Sequence, residues 1–356
     1  MSGRPFGGEP SAADRARYAD AVVAPYWLDA LPARALAPAL EGATETDLCI
    51  VGGGFTGLWA ALHAKRDDPA REVVLLEAET VAFGASGRNG GFLEASLTHG
   101  LANGEARFAD ELPVLERLAR ENHAGLVADL AAHGIDCAYE GNGTLAVALE
   151  PHELAWLEEA AVLARAFGYE AELLDAAAVR AQVDSPTYLG ALWTRSGSAL
   201  VDPARLARGL VDAAVRAGVR VYERTPATGM SELRSHAVEV HTPAGRVRAR
   251  RVLLATSAYP PLLKRIGAYV APVYDYVLVT EPLRQRQRAA LNWGNRQGVS
   301  DLGNQFHYYR LTPDDRILFG GYDAVYRRGG PVGADHDDHD PTFGGSHTTS
   351  RRPSRN

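Results

Sequence analysis

The chain has 356 residues, 46% apolar and 23% charged, with a formal net charge of −7. That length allows two domains, or one large α/β domain with an insertion. The negative charge argues against nucleic acid as the main partner, because a phosphate binder needs a positive field.

Residues 1–44 are rich in Pro, Ala and Gly and read as a mobile arm with one short helix. From Thr46 a β-α-β pattern begins. "DLCIV" is a continuous apolar strand of the kind buried on both faces of a parallel sheet. "FTGLWAALHAKR" is the helix and "EVVLLEA" the second strand. A helix is expected over 111–133, with Leu112, Leu115, Leu118, Leu126 and Leu130 as its apolar stripe and Gly134 as its cap. Short strands "DCAYE" and "GTLAVAL" follow, then a helix from His152 to Phe167. In "VDPARLARGLVDAAVRAGVRVYERT", Asp202 is an N-cap, Pro203 opens the helix and Gly218 closes it. A hairpin around "TPAGR" leads to a buried strand, "RVLLATSA". "YVAPVYDYVLVTEPL", "QFHYYRL" and "RILFGGY" suit an antiparallel sheet.

The expected fold class is α/β. A Rossmann-like dinucleotide domain is built discontinuously from 45–107 and 196–266, and an α+β second domain from 108–195 and 267–342. Residues 343–356, "FGGSHTTSRRPSRN", are small, polar and basic and read as a disordered tail.

Gly52, Gly54 and Gly57 form G-x-G-x-x-G between strand and helix, with Phe55 and Thr56 in the same turn. Gly52 allows the tight turn, Gly54 lets backbone approach a pyrophosphate, and Gly57 lets helix pack on strand. The helix N-terminus offers free N–H groups and partial positive charge. Glu77 ends the second strand about 20 residues on, where the fingerprint requires a carboxylate for ribose hydroxyls. That carboxylate disfavours the 2′-phosphate of NADP. FAD and NAD both stay open at this point. The loop at 86–91, with Ser86, Arg88, Asn89 and Gly90, can lie along an extended cofactor.

"TDLCIVGGGFTGLWAALHAK…VVLLEAETVAFGASGRNGGFL" resembles the FAD-binding start of the D-amino-acid oxidase superfamily, and within it the γ-glutamylputrescine oxidoreductase type. The "YWLDALP" arm, "PVYDYVLVTEPL" and "YYRLTPDDRILFGGY" are similar to that subgroup too. The resemblance implies FAD, with Gly52, Gly54 and Gly57 at the pyrophosphate and Glu77 at the adenosine ribose. It sets Ser86, Arg88, Asn89 and Gly90 along the cofactor toward the isoalloxazine. Ala227 falls at a position that presents backbone to adenine, and Thr256 in the second cofactor-side strand. It implies oxidation of the C–H next to an amine, with oxygen or an unknown acceptor taking the electrons. Members continue beyond the point where this sequence stops, which reads as a truncation. Two other functions remain open, an NAD-dependent dehydrogenase on a similar turn and a non-catalytic nucleotide-binding fragment.

For the substrate, a small-molecule amine, the candidates are Tyr274 and Tyr276 on one strand face, and Tyr308 with Arg310 on a face of "QFHYYRL". An aromatic wall with one arginine suits an amine bearing a distant carboxylate. No catalytic acid or base is nominated. His307 reads as an ordinary sheet histidine, and "DHDDHD" (335–340) as a solvated acidic loop, so no metal site is expected. Cys49 and Cys137 make no disulfide framework or zinc spacing, which fits a reducing cytoplasm. No secretory signal and no membrane-spanning helix are expected.

Overall fold

The computed structural model describes residue 16 and residues 20–234, 236–303, 306–325 and 327–336. The tail expected at 343–356 and most of "DHDDHD" lie outside the described residues.

Two sheets organise the molecule. The first contains β1 (Gly42–Val51), β2 (Val73–Leu76), β8 (Arg220–Tyr222), β9 (Gly229–Glu232), β10 (Val238–His241) and β11 (Gly245–Leu254), in the order β8-β2-β1-β11-β10-β9. Its centre is parallel, β1 pairing with both β2 and β11. The hairpin at 242–245 adds an antiparallel edge. All four side chains of β2 are buried, as its unbroken apolar run requires. Ile50 and Leu75 face one way, against α2 (Phe55–Asp67) and α7 (Pro203–Arg216), in a core with Leu58 and Leu210. Cys49, Val51, Val74 and Leu76 face the other way, against Leu40 and Val240.

The second sheet contains β4 (Thr144–Ala148), β5 (Ala171–Asp175), β6 (Gly190–Thr194), β12 (Tyr274–Val279), β13 (Gly298–Asp301), β14 (His307–Leu311) and β15 (Ile317–Val325). The order is β12-β15-β14-β13-β4-β6-β5, antiparallel except for β13 with β4. A ribbon of β3 (Phe92–Glu94) and β7 (Ser198–Leu200) forms a third, two-stranded sheet. "DCAYE" contributes only a bridge, Glu140 to Leu200, and not the strand expected of it.

The remaining helices are α1 (Tyr26–Asp29), α3 (Leu101–Phe108), α4 (Leu112–His133), α5 (Glu153–Ala166), α6 (Ala176–Gln182) and α8 (Gln285–Leu291). Local capping signals hold. Asp202 accepts the N–H groups of Ala204 and Arg205 at 3.0 and 2.9 Å, and Gly134 closes α4 in the left-handed region at φ 64°. The stripe of α4 differs from expectation. Leu118 is exposed, and the buried positions are Leu112, Glu116, Ala119 and Leu130. Position 118 is out of phase with the 3.6-residue repeat that runs through 112, 116 and 119. Glu116 is tolerated inside because the Tyr169 hydroxyl donates to it at 2.6 Å.

The arm is a larger correction. Residues 26–40 are docked across the molecule. Trp27 is 2% exposed, packed on Ala204 and Leu318, and Leu40 is 3% exposed in the first sheet's core. Tyr26 donates to Asp314 at 2.6 Å, Arg208 donates to the Pro32 carbonyl at 2.9 Å, and Arg34 pairs with fully buried Glu223. Burying two large apolar side chains offsets the entropy that a Pro/Ala-rich segment loses on ordering.

Candidate active site

β1 ends at Val51, and the chain turns through Gly52, whose φ is +114°. A Cβ there would stand 2.4 Å from the Ala255 carbonyl oxygen at the end of β11, so only glycine fits. At Gly57 a Cβ would stand 2.0 Å from the Gly52 carbonyl oxygen. The helix therefore starts hard against the strand ends. Gly54 is its N-cap, and the first-turn N–H groups have no intrahelical acceptor. Ser86 Oγ accepts one of them, from Phe55, at 3.0 Å. Thr56 follows in the same turn.

Glu77, at the end of β2, accepts the Gly53 N–H at 2.6 Å through one oxygen and the Glu79 N–H at 3.0 Å through the other. Burial pushes its carboxyl above the usual range, against the pull of those backbone donors. The Glu77 carbonyl accepts from Thr225, which brings the segment holding half-buried Ala227 alongside. Thr256 follows β11, whose exit is tied to β1 by the Ala255 N–H on the Val51 carbonyl at 2.8 Å. Glycine turn, Glu77, Ala227 and Thr256 thus gather at one end of the first sheet. This suits a dinucleotide: close backbone approach, helix N–H groups without intrahelical acceptors, and a carboxylate at the end of the second strand beside the glycine turn.

The loop after β2 leads away from this end toward the second sheet. Asn89 ties it internally, donating to the Ala85 and Ser86 carbonyls and accepting from Gly91. Trp27 of the arm donates its indole N–H to the Asn89 carbonyl at 2.8 Å. Arg88 turns back on the loop, its Nε 2.7 Å from the Phe83 carbonyl and its guanidinium 4.7 Å from that ring. Gly90 meets Tyr308 of β14, whose ring would be 2.6 Å from a Cβ at position 90. A cleft of about 2770 Å³ opens beside this junction, lined among others by Arg88, Asn89, Gly90, Tyr259, Asp275 and Tyr308.

The substrate candidates divide between the two faces of the second sheet. The register sets Val277, Gly320 and Tyr308 side by side on one face, and Tyr276, Gly321 and His307 on the other. Tyr308 looks toward the loop at 86–91. Tyr274 and Tyr276, stacked at 6.3 Å, lie on the far face with Arg327 and His336. Tyr274, Tyr276 and Tyr308 nevertheless all border the cleft, which reaches both faces of the sheet, and Arg310 is the one of the four substrate candidates absent from its lining. Arg310 is on the near face but fully buried, donating to the Gly91 carbonyl at 3.2 Å and the Val201 carbonyl at 2.7 Å. Burial lowers its guanidinium from the ordinary value to about 10. It also donates to the Leu311 carbonyl at 3.2 Å, so it braces the loop, and it is absent from the cleft wall. His307 is satisfied by Asp301 at 2.7 Å, as a sheet histidine should be.

Asp275 is the cleft residue that sequence reasoning passed over. It lies between Tyr274 and Tyr276, where the register of β12 against β15 shifts. Tyr308 donates to it at 2.7 Å. Among the described residues no group of acidic, histidine or cysteine side chains could hold a metal, no helix is long and apolar enough to cross a membrane, and Cys49 and Cys137 are free and buried.

Comparison with known proteins agrees with this geometry. Residues 47–351 match the DAO family model, described as FAD dependent oxidoreductase. The chain is 37% identical over 290 residues to γ-glutamylputrescine oxidoreductase of Escherichia coli, covering 79% of this chain and 66% of that protein. It is 31% identical to the probable oxidoreductase OrdL of Haemophilus influenzae, covering 80% of this chain and again 66% of the relative. The chain thus spans a little under two thirds of the length of these curated relatives. Glycine oxidase from Geobacillus kaustophilus has the same fold, with a TM-score of 0.63 and 22% identity over 82% of this chain and 75% of that one. From the glycine turn to the second sheet, the chain belongs to the DAO family of FAD-dependent oxidoreductases.

Proposed function

We propose that the protein is an FAD-dependent oxidoreductase acting on the C–H bond next to an amine, with a substrate of the γ-glutamylputrescine kind. The observation that carries this reading is continuity. A pyrophosphate-type turn with Glu77 passes directly into a loop that ends against Tyr308 on the second sheet. The family is FAD dependent, which favours FAD over NAD at this turn. In this reading Gly52, Gly54, Phe55, Thr56 and Gly57 hold the pyrophosphate, Glu77 the ribose, and Ala227 the adenine. Ser86, Arg88, Asn89, Gly90 and Thr256 border the rest of the cofactor. Segments 45–107 and 196–266 then act as the cofactor domain, and 108–195 with 267–342 as the substrate domain.

Bound there, FAD supplies a two-electron acceptor to which hydride passes from the carbon beside the amine, leaving an imine that water hydrolyses. The amine must react as its free base. An alkylamine with a pKa of ~10.4 costs about 4–5 kcal/mol to deprotonate at pH 7. The apolar flank of Val277 and Phe92 around Tyr308 lowers that cost by disfavouring the cation. No side-chain base is required. The two buried free thiols fit a reducing cytoplasm.

Purified protein tests the reading. Flavin absorbance, and thermal stabilisation by FAD with none by NAD, are expected. A screen of γ-glutamyl polyamines, N-methyl amino acids and D-amino acids should find one class that bleaches the flavin anaerobically, and peroxide on re-aeration identifies oxygen as acceptor. Colourless protein that ignores FAD would reject the assignment.

A further inference from the structure

Two side chains grip carbonyls of the loop at 86–91. Trp27 donates to that of Asn89 and Arg310 to that of Gly91, and the guanidinium lies 5.3 Å from the indole centroid. The fit is close: a Cβ at Gly91 would stand 2.7 Å from Arg310 Nη1 and 2.2 Å from the Val201 carbonyl oxygen. Arg310 is fully buried, and among the described residues its hydrogen bonds all go to backbone carbonyls, none to a carboxylate. A buried cation needs a counter-charge. Glu140 supplies it. Its backbone pairs in both directions with Leu200 at 2.9 Å, one residue before the Val201 carbonyl that Arg310 holds. Burial lowers the Arg310 guanidinium to about 10; Glu140 opposes this most, ahead of Asp202, and Arg296 works with it. Glu140 is also shared. One oxygen accepts from Arg296 Nε at 2.9 Å, and the other is buried with no partner among the described residues. Arg296 further holds the β14–β15 turn, through Asp315 at 2.9 Å and the Thr312 carbonyl at 2.6 Å, and Asp315 meets Arg288 of α8 at 2.7 Å. Alternating charges thus run from the loop to the surface: Arg310, Glu140, Arg296, Asp315, Arg288.

We propose that Glu140, which is absent from the cleft lining, is a positioning residue for the loop at 86–91. Its carboxylate keeps Arg310 on the Gly91 and Val201 carbonyls, so a charge outside the cleft sets the shape in which the loop meets its cofactor. The consequence for flavin rests on the reading of that loop as a cofactor border; the hold on the loop does not. Without the carboxylate, a buried guanidinium is left uncompensated and moves toward another anion or water, releasing the carbonyls. Arg296 has the same charge as Arg310 and draws Glu140 the other way. The two members of one ion pair therefore act on the loop with opposite sign. A merely structural role for the pair would make their losses alike.

The test follows amide hydrogen exchange in the full chain, free of flavin, with FAD affinity measured beside it by flavin fluorescence. The reporters are the Gly91 N–H, which Asn89 Oδ1 accepts, and the Val201 N–H on the Gly91 carbonyl, each at 2.9 Å. Glu140→Gln should speed exchange at both amides about tenfold and weaken FAD by a similar factor, as members of one network couple. Arg296→Met should leave both amides as protected as in wild type, while the Asp315 N–H of the β14–β15 turn exchanges faster. Arg310→Met should loosen the loop by itself and make a further Glu140→Gln silent there. Unchanged loop exchange in Glu140→Gln, equal loosening by Arg296→Met, or a Glu140→Gln effect that persists beside Arg310→Met would overturn the assignment. If Glu140→Gln does not fold, Arg296→Met decides: protected loop amides support the proposal and loosened ones reject it. Loop exchange that responds as expected with FAD affinity unaltered supports the hold and removes the loop from the cofactor border.

Discussion

At the residue scale, the glycines of the first turn separate folding from cofactor binding. A Cβ at Gly57 meets backbone at 2.0 Å, so Gly57→Ala must push helix from strand; at Gly54 it meets only the Ser86 hydroxyl at 2.9 Å, which can rotate away. The N-cap dihedrals of Gly54, −82° and −176°, are open to any residue. Gly57→Ala should therefore cost about 1–3 kcal/mol of stability as an overpacked position. Gly54→Ala should stay within about 1 kcal/mol of wild type yet lose flavin. Unfolding curves beside the flavin-to-protein absorbance ratio check both; unchanged flavin in Gly54→Ala would remove the pyrophosphate from this turn. Glu77 gives a second test. Its carboxyl is raised by burial, so it takes up a proton at a pH above that of an ordinary glutamate. The neutral acid is a poorer acceptor for ribose hydroxyls. FAD affinity should then fall as pH drops through that raised value, and Glu77→Gln should flatten the dependence. Loss of a charge-assisted hydrogen bond predicts about 1.5–3 kcal/mol weaker binding at neutral pH.

At the element scale, the loop at 86–91 is held from three directions that are far apart in sequence. Trp27 reaches it from α1, Tyr308 and Arg310 from β14, and Val201, ahead of α7, through its N–H on the Gly91 carbonyl. Trp27→Phe keeps most of the buried area and deletes the bond to the Asn89 carbonyl. It should cost about 1 kcal/mol and loosen FAD, read as a higher dissociation constant by flavin fluorescence; unaltered FAD affinity would show that the arm does not govern the loop. This arrangement also shows what the sequence could convey. The β-α-β unit, the Asp202 and Gly134 caps and strands β4, β12, β14 and β15 were legible because each rests on local spacing and dihedral preference, whereas β5, β6 and β13 of the same sheet were not read from the sequence. The docking of Trp27 and Leu40 was not, since nothing in a Pro/Ala-rich stretch says which distant surface will cover it. The pairing of Tyr274 with Tyr276, and of Tyr308 with Arg310, followed from alternation. Which pair looks toward the loop depended on the β12–β15–β14 register and on a bulge, and neither has a local signature. Arg310 is expected at the substrate because it shares a strand face with Tyr308, but three backbone carbonyls, those of Gly91, Val201 and Leu311, accept from it.

At the scale of the whole molecule, the arm joins the two sheets. It begins at Tyr26 on Asp314, crosses the loop at Trp27, and ends on the first sheet where Arg34 pairs with Glu223 and Leu40 donates to Thr225 Oγ1. Glu223 is fully buried and accepts from three donors, Arg34, the Ala37 N–H and the Val81 N–H at 2.8 Å. Val81 precedes the loop at 86–91, so one carboxylate couples arm and loop. Removing one partner of a buried ion pair leaves an uncompensated charge, typically worth about 3–5 kcal/mol, whereas neutralising both can be close to neutral. Arg34 is partly exposed, which lets water screen the orphaned carboxylate and sets the expectation at the lower end, about 3 kcal/mol. Arg34→Ala should thus lower stability by that amount and reduce flavin retention with it. Arg34→Ala with Glu223→Gln should recover more than half of the loss, because an amide oxygen still accepts from Ala37 and Val81 without a buried charge. Denaturant unfolding of the two single variants and the double closes the cycle. A double variant no more stable than Arg34→Ala would mean that the arm is held by Trp27 and Leu40 packing alone, and that the ion pair does not join arm to loop.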